Sequence, residues 1–177
     1  MLKLAFTCLL IFLISSNSIA AEGANELFAA AATGKLNRMQ SLLDKGLDPN
    51  SKTSNGKTPL MGAAFNGNYR IIKKLLAYGA NVNIADNQGT TALMDALIFG
   101  DEKIINLLIT AGADVNATDK NNLKVLDKAK KIGFKKIISV LEKAGATDSE
   151  ADNTETEASG DETEEDTENT EAENNQQ

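Results

Sequence analysis

Histidine and tryptophan are missing from this sequence, cysteine occurs once, at Cys8, and proline only twice. Phe and Tyr together make up 5% of the 177 residues. These gaps exclude several kinds of chemistry. Imidazole and thiol are the commonest general base and nucleophile, and beyond Cys8 the chain offers neither. Its carboxylates are scattered, with nothing in their spacing to pair them. No catalytic set can be assembled, no cofactor or metal is implied, and the chain reads as a non-enzyme. A single thiol closes no internal disulfide, so stability has to come from packing.

Cys8 itself lies in a segment unlike the rest. Met1-Leu2-Lys3 carries one positive charge, Leu4 to Ile14 is nearly all apolar, and Ser15 to Ala21 is small and polar apart from Ile19. That order of charged, apolar and small-residue regions is the pattern of a secretory signal. A helix over the apolar run would be about 16 Å long, roughly half a bilayer core. The segment is therefore read as a signal peptide over residues 1–20, cut after Ala20, and not as a spanning helix. The mature chain is expected in the periplasm or outside the cell, with no stable membrane insertion after cleavage. Phe6-Thr7 is no lipidation box for Cys8.

Beyond the signal the chain repeats itself. Gly46, Gly79, Gly112 and Gly145 recur at a constant step of 33, as do Gly34, Gly67, Gly100 and Gly133. Leu27, Leu60, Leu93 and Leu126 keep the step, and so do Leu42, Leu75, Leu108 and Leu141. A fixed period of this size marks a stack of supersecondary units. In the second unit Asn55-Gly56 is a turn pair, and Thr58-Pro59 starts a helix with a hydroxyl cap and a proline whose missing N–H costs nothing. That helix should reach about Asn66 and stop at Gly67. A second helix should run from about Tyr69 to Tyr78, with Ile72, Leu75 and Leu76 on one face. Gly79 then serves as a left-handed cap, and Ala80 to Ile84 should return in extended form. Asn25 is the cap expected for the first helix of the first unit.

Gly56-Lys57-Thr58-Pro59-Leu60-Met61-Gly62-Ala63-Ala64 and Gly79-Ala80-Asn81-Val82-Asn83, with their counterparts Gly89 to Leu93 and Gly112 to Asn116, resemble the ankyrin repeat family. The resemblance covers about Ala24 to Thr147. It implies an all-α repeat solenoid of four helix pairs with projecting turns, over residues 21–147, divided near 22–54, 55–87, 88–120 and 121–147. The family usually places His after Thr-Pro-Leu, bonded back to the Thr. Met61, Met94 and Asp127 stand there instead, and that bond is expected to be lost, at about 1 kcal/mol per repeat. In the last unit Lys130 and Glu142 replace Ala64 and Leu76, as an end that faces water requires.

Residues 148–177 hold 13 carboxylates and no Lys, Arg, Leu, Val, Ile or aromatic residue. Such a segment has nothing to bury and is expected to be a disordered acidic tail. The repeats carry 17 cations against 12 carboxylates, so the stack is basic. Eight lysines crowd the last unit between Lys120 and Lys143, next to the tail. The tail either screens that face or simply solubilises the chain. No aromatics are interleaved among these lysines, so nucleic acid is not an expected partner. Ser51 to Thr58 nearly matches a phosphate loop, but a repeat turn explains every residue. The sequon at Asn116 falls on a repeat position.

Binding is the remaining use. By the resemblance, the finger turns offer Ser54, Asn55 and Lys57, then Asn87, Gln88 and Thr90, then Lys120, Asn121 and Leu123. The palm formed by the first helices offers Phe65, Asn66, Ile98 and Phe99. The two phenylalanines are either exposed anchors or inter-repeat core. The expected function is a monomeric protein-binding module working through this concave face. The alternatives are a structural or protective accessory of an envelope enzyme, for example in oxidative-stress defence, and an exported host-directed effector.

Overall fold

The computed structural model describes residues 21–149. The signal read from residues 1–20 and nearly all of the acidic tail lie outside the described residues. Among the described residues eight helices follow one another: α1 (21–32), α2 (Leu36–Asp44), α3 (Pro59–Phe65), α4 (Tyr69–Ala77), α5 (Ala92–Ala96), α6 (Glu102–Thr110), α7 (Val125–Ile132) and α8 (Lys135–Lys143). They form four antiparallel pairs. The first helices of successive pairs pack on each other, α3 on α5 and α5 on α7, and the second helices do likewise, α4 on α6 and α6 on α8. The result is a two-layer stack in which each unit touches its neighbours, as a solenoid must.

The period-33 residues are the core. Leu27, Leu60, Leu93 and Leu126, with Leu42, Leu75, Leu108 and Leu141, are all buried in one continuous cluster. Burying a leucine of this kind stabilises by about 1.5–3 kcal/mol. Ile72 and Leu75 of α4 are buried as their spacing predicts, joined by Ile71, while Leu76 is half-buried. Small residues set how closely successive units approach. A Cβ added to Gly62 would stand 2.8 Å from the Phe28 ring and 3.2 Å from Ala32, so α3 lies almost against α1.

Thr58 caps α3 as expected: its hydroxyl accepts from Met61 N–H at 3.3 Å, with Pro59 at the first helical position. The bond expected to be lost with the missing His is partly replaced. Met61 sulfur accepts the Thr58 N–H at 3.4 Å, and Asp127 Oδ2 accepts the Lys124 N–H at 3.0 Å. Sulfur is a weak acceptor and a carboxylate a strong one, so the replacement is better in the last unit. Two other expectations fail. Asn25 does not cap α1, because the chain is already helical at residue 21 and Asn25 lies exposed within the helix. The first unit has no turn pair and no proline to stop the helix extending backwards. Nor is Ala80 to Ile84 fully extended: the chain turns at Val82-Asn83, where Asn83 N–H donates to Asn81 Oδ1 at 2.9 Å.

A second ladder ties the units together. Asn50, Asn83 and Asn116 are one step of 33 apart. Each donates its amide to the carbonyl of the next unit's capping glycine, Gly79, Gly112 or Gly145, at 3.3, 2.9 and 3.1 Å. Each also accepts a backbone N–H, from Asn81, Asp114 or Thr147, at 2.7–2.8 Å. The sequon asparagine is thus a staple between repeats. At the end of the stack, residues 147–149 fold across α7. Lys124 Nζ donates to Thr147 Oγ1 at 3.0 Å, Lys130 pairs with Asp148, and Ser149 Oγ donates to Asp127 Oδ2 at 2.8 Å.

Candidate binding face

Three turns project beyond the first helices, at residues 53–57, 86–90 and 119–123. In each, a backbone bond closes the turn: Gly56 N–H to Thr53 O at 2.8 Å, Gly89 N–H to Asp86 O at 3.0 Å, Asn122 N–H to Asp119 O at 3.0 Å. Gly56 and Gly89 have φ of +77°, and Asn122 takes over the same position with φ of +57°. Asn is the residue besides Gly that enters this region most readily. Asp86 and Asp119 pin their turns by accepting two backbone N–H groups each, at 2.8–3.1 Å.

The predicted finger residues divide by role. Ser54, Asn55, Asn87, Gln88, Lys120 and Asn121 are exposed at the tips. Several also bind the fingers to one another. Asn87 N–H donates to Asn55 O at 3.1 Å, Asn87 Nδ2 to Ser54 O at 3.1 Å, and Lys120 N–H to Gln88 O at 2.9 Å. Asn87 is therefore partly committed to holding the row rigid. Lys57, Thr90 and Leu123 are half-buried on the inner side of the turns.

Of the palm residues, Phe65, Ile98 and Phe99 are exposed at 44%, 55% and 61%, so neither phenylalanine is buried core. Phe99 still rests on the neighbouring unit, since its ring lies 3.7 Å from where a Cβ on Gly67 would be. Asn66 is exposed and donates its amide back to Gly62 O at 3.0 Å. A groove of about 280 Å³ opens on the palm, walled by Phe28, Met61 and Phe65, with Lys57 and Asp95 at its polar end.

Of that polar end, Lys57 was among the expected site residues and Asp95 was not. Lys57 Nζ lies 3.0 Å from Asp95 and 3.4 Å from Asp86, joining the second finger to the third unit. Lys128 pairs with Asp119 at 2.6 Å. Burial pushes the Asp95 carboxyl up, and Lys57 only partly offsets this. Burial works against the Lys57 charge too, but the two carboxylates outweigh it and hold its pKa above the usual lysine value. Asp119 and Asp127 are held below the usual carboxylate range. Burial opposes this, but Lys128 and backbone N–H groups prevail at Asp119, and Ser149 and the Lys124 N–H prevail at Asp127. A signal for these pairs existed: Asp95 and Lys128 are one step of 33 apart, opposite charges where Gly62 stands in the second unit.

A family model, ankyrin repeats (3 copies), matches residues 27–119. The match ends before α7 and α8, the pair whose Lys124, Asp127 and Lys130 depart from the interior pattern. No curated protein matches the chain.

Proposed function

The chain belongs to the ankyrin repeat family, and from that premise we propose that it is a non-catalytic module that binds a protein partner through its finger turns and palm, in the periplasm or outside the cell. Modules of this family serve protein–protein interaction in general. The observation that supports this face is the exposure of Phe65, Ile98 and Phe99 on an inner layer whose other large apolar side chains are mostly buried. Aromatic side chains presented on a rigid scaffold are the usual anchors of an interface. The fingers, cross-linked by Asn55, Asn87, Gln88 and Lys120, hold polar groups in fixed positions at the other end of the first helices. Such rigidity lowers the ordering cost of association.

The test is crosslinking in the native compartment followed by mass spectrometry, with the unaltered chain and with Phe65→Ala, Phe99→Ala. Loss of one stoichiometric partner at an unchanged melting temperature is the expected result. Retention of that partner with a melting temperature several degrees lower would assign both rings to packing and remove the proposal. The compartment is tested separately: the mature chain should begin at Ala21 and be released with the extracytoplasmic fraction.

A further inference from the structure

The large exposed apolar side chains of the described residues all stand on one edge of the stack. They are Phe65, Tyr69, Ile98, Phe99 and Ile132, each at least 41% exposed. All lie where a first helix ends or a second begins, a helix length away from the finger turns. Phe65 and Ile98 are equivalent positions in successive units, and so are Phe99 and Ile132. The apolar row therefore crosses three consecutive units. Beside it runs a second row in the same register: Arg70, Lys103 and Lys136 are each 33 residues apart, and all are exposed. Among the described residues none of these three takes part in an ion pair.

We infer that this edge binds an acidic amphipathic helix of a protein partner. The inference rests on the protein-binding reading above and names the chemistry of the partner. Three units spaced at a helix–helix distance of 8–10 Å place Phe65 and Ile132 about 20 Å apart. A helix covers that distance in about 13 residues at 1.5 Å each. Apolar side chains at intervals of three and four residues would meet the row, and carboxylates on one flank would meet the cations. The edge also has clefts for side chains between units. One of about 290 Å³ is lined by Leu36, Asn68, Tyr69 and Arg70, and one of about 500 Å³ by Glu102, Phe134, Lys135 and Lys136. A helix with protruding side chains uses such clefts and a flat lipid surface does not. The chain's own acidic segment is a poor occupant, because residues 150–177 contain no apolar side chain larger than Ala.

The probe is a fluorescent 14-residue peptide with Leu on one helical face and Glu flanking it, titrated with the full mature chain. A peptide with Lys in place of each Glu and vesicles of phosphatidylglycerol are run in parallel. The Glu peptide should bind, gain helicity, and bind at least tenfold more tightly than the Lys peptide. Ile98→Ser with Ile132→Ser should weaken it at least tenfold. Arg70→Glu, Lys103→Glu, Lys136→Glu should do the same and abolish the preference for Glu. These positions are exposed, and an unchanged melting temperature verifies the fold. Absent binding, equal binding of both peptides, indifference to the substitutions, or preference for the vesicles overturns the inference. A native partner kept by the charge-reversed chain but lost by Phe65→Ala, Phe99→Ala overturns it while leaving the protein-binding reading intact. Capture of no partner by the unaltered chain overturns that reading itself.

Discussion

Positions 58, 61 and 64 of the second unit and 124, 127 and 130 of the fourth are equivalents two steps apart, and they hold opposite chemistry. Thr58, Met61 and Ala64 are buried within the stack. Lys124, Asp127 and Lys130 meet no further unit, and instead hold residues 147–149 by charged hydrogen bonds. The backbone course is the same, a short helix after a turn. What differs is whether the outer face has a neighbour. An interior unit buries apolar atoms there, whereas the last unit satisfies a polar face with a few residues of following chain and water.

That contrast can be broken from either side. Ala64→Lys would place a charge in a closed interface, and should cost more than about 4 kcal/mol or prevent folding. The opposite change at the end, Lys130→Ala, should stay within about 0.5 kcal/mol. Urea unfolding followed by circular dichroism measures both, and similar costs for the two would erase the distinction. Leu75→Ala should destabilise by about 2–5 kcal/mol, and Leu141→Ala, equally buried but in the last unit, should fall at the lower end of that range. The end can relax around the missing atoms more easily than the interior can.

Smaller effects sharpen the same comparison. Asn83→Ala removes one bond to Gly112 and one from Asp114, a loss of about 2 kcal/mol at about 1 kcal/mol each. Asn116→Ala removes the corresponding pair of bonds at the end of the stack and a third from the Thr147 hydroxyl, and should chiefly speed amide exchange in residues 141–149. The smallest effect is in pH. Asp127 and Asp119 are held below the usual carboxylate value, so the stability they contribute is present above about pH 3.9 and is lost as pH falls through their lower folded-state values. Asp95, pushed up by burial, acts in the opposite sense, since its protonation favours the folded form. Acid should therefore loosen α7 and α8 before α3 and α4. Asp127→Asn should flatten that acid limb in pH-resolved amide exchange, and an unchanged limb would assign the sensitivity elsewhere.

Much of the architecture was legible in the residues. The glycines at period 33, the Thr58-Pro59 start and the spacing of Ile72 and Leu75 each express a local rule of backbone or helix periodicity. Their positions followed without knowledge of the neighbours. The start of α1 was misread because Asn25 matches a cap by register, while no turn or proline forces the helix to begin there. The sulfur bond of Met61 was missed because a family pattern names His at that place, and the acceptor role passes to whatever atom stands within reach. Most of the named finger and palm residues are exposed, but Lys57, Thr90 and Leu123 are half-buried and Asn87 is partly a brace. The Lys57, Asp86 and Asp95 group was missed because its members lie up to 38 residues apart. Spacing within one unit could not bring them together.

The sequence by itself determined the unit, the number of units and the periodic leucines that each unit buries. Those follow from periodicity, from positive-φ turns and from helix caps, all of which act within a few residues of one another. Only the tertiary structure decided that Phe65, Tyr69, Ile98, Phe99 and Ile132 share one edge with Arg70, Lys103 and Lys136, and that Lys57 reaches the following unit. Stacking decides this, because it converts a separation of 33 residues along the chain into one helix-to-helix distance, and no local rule contains that distance.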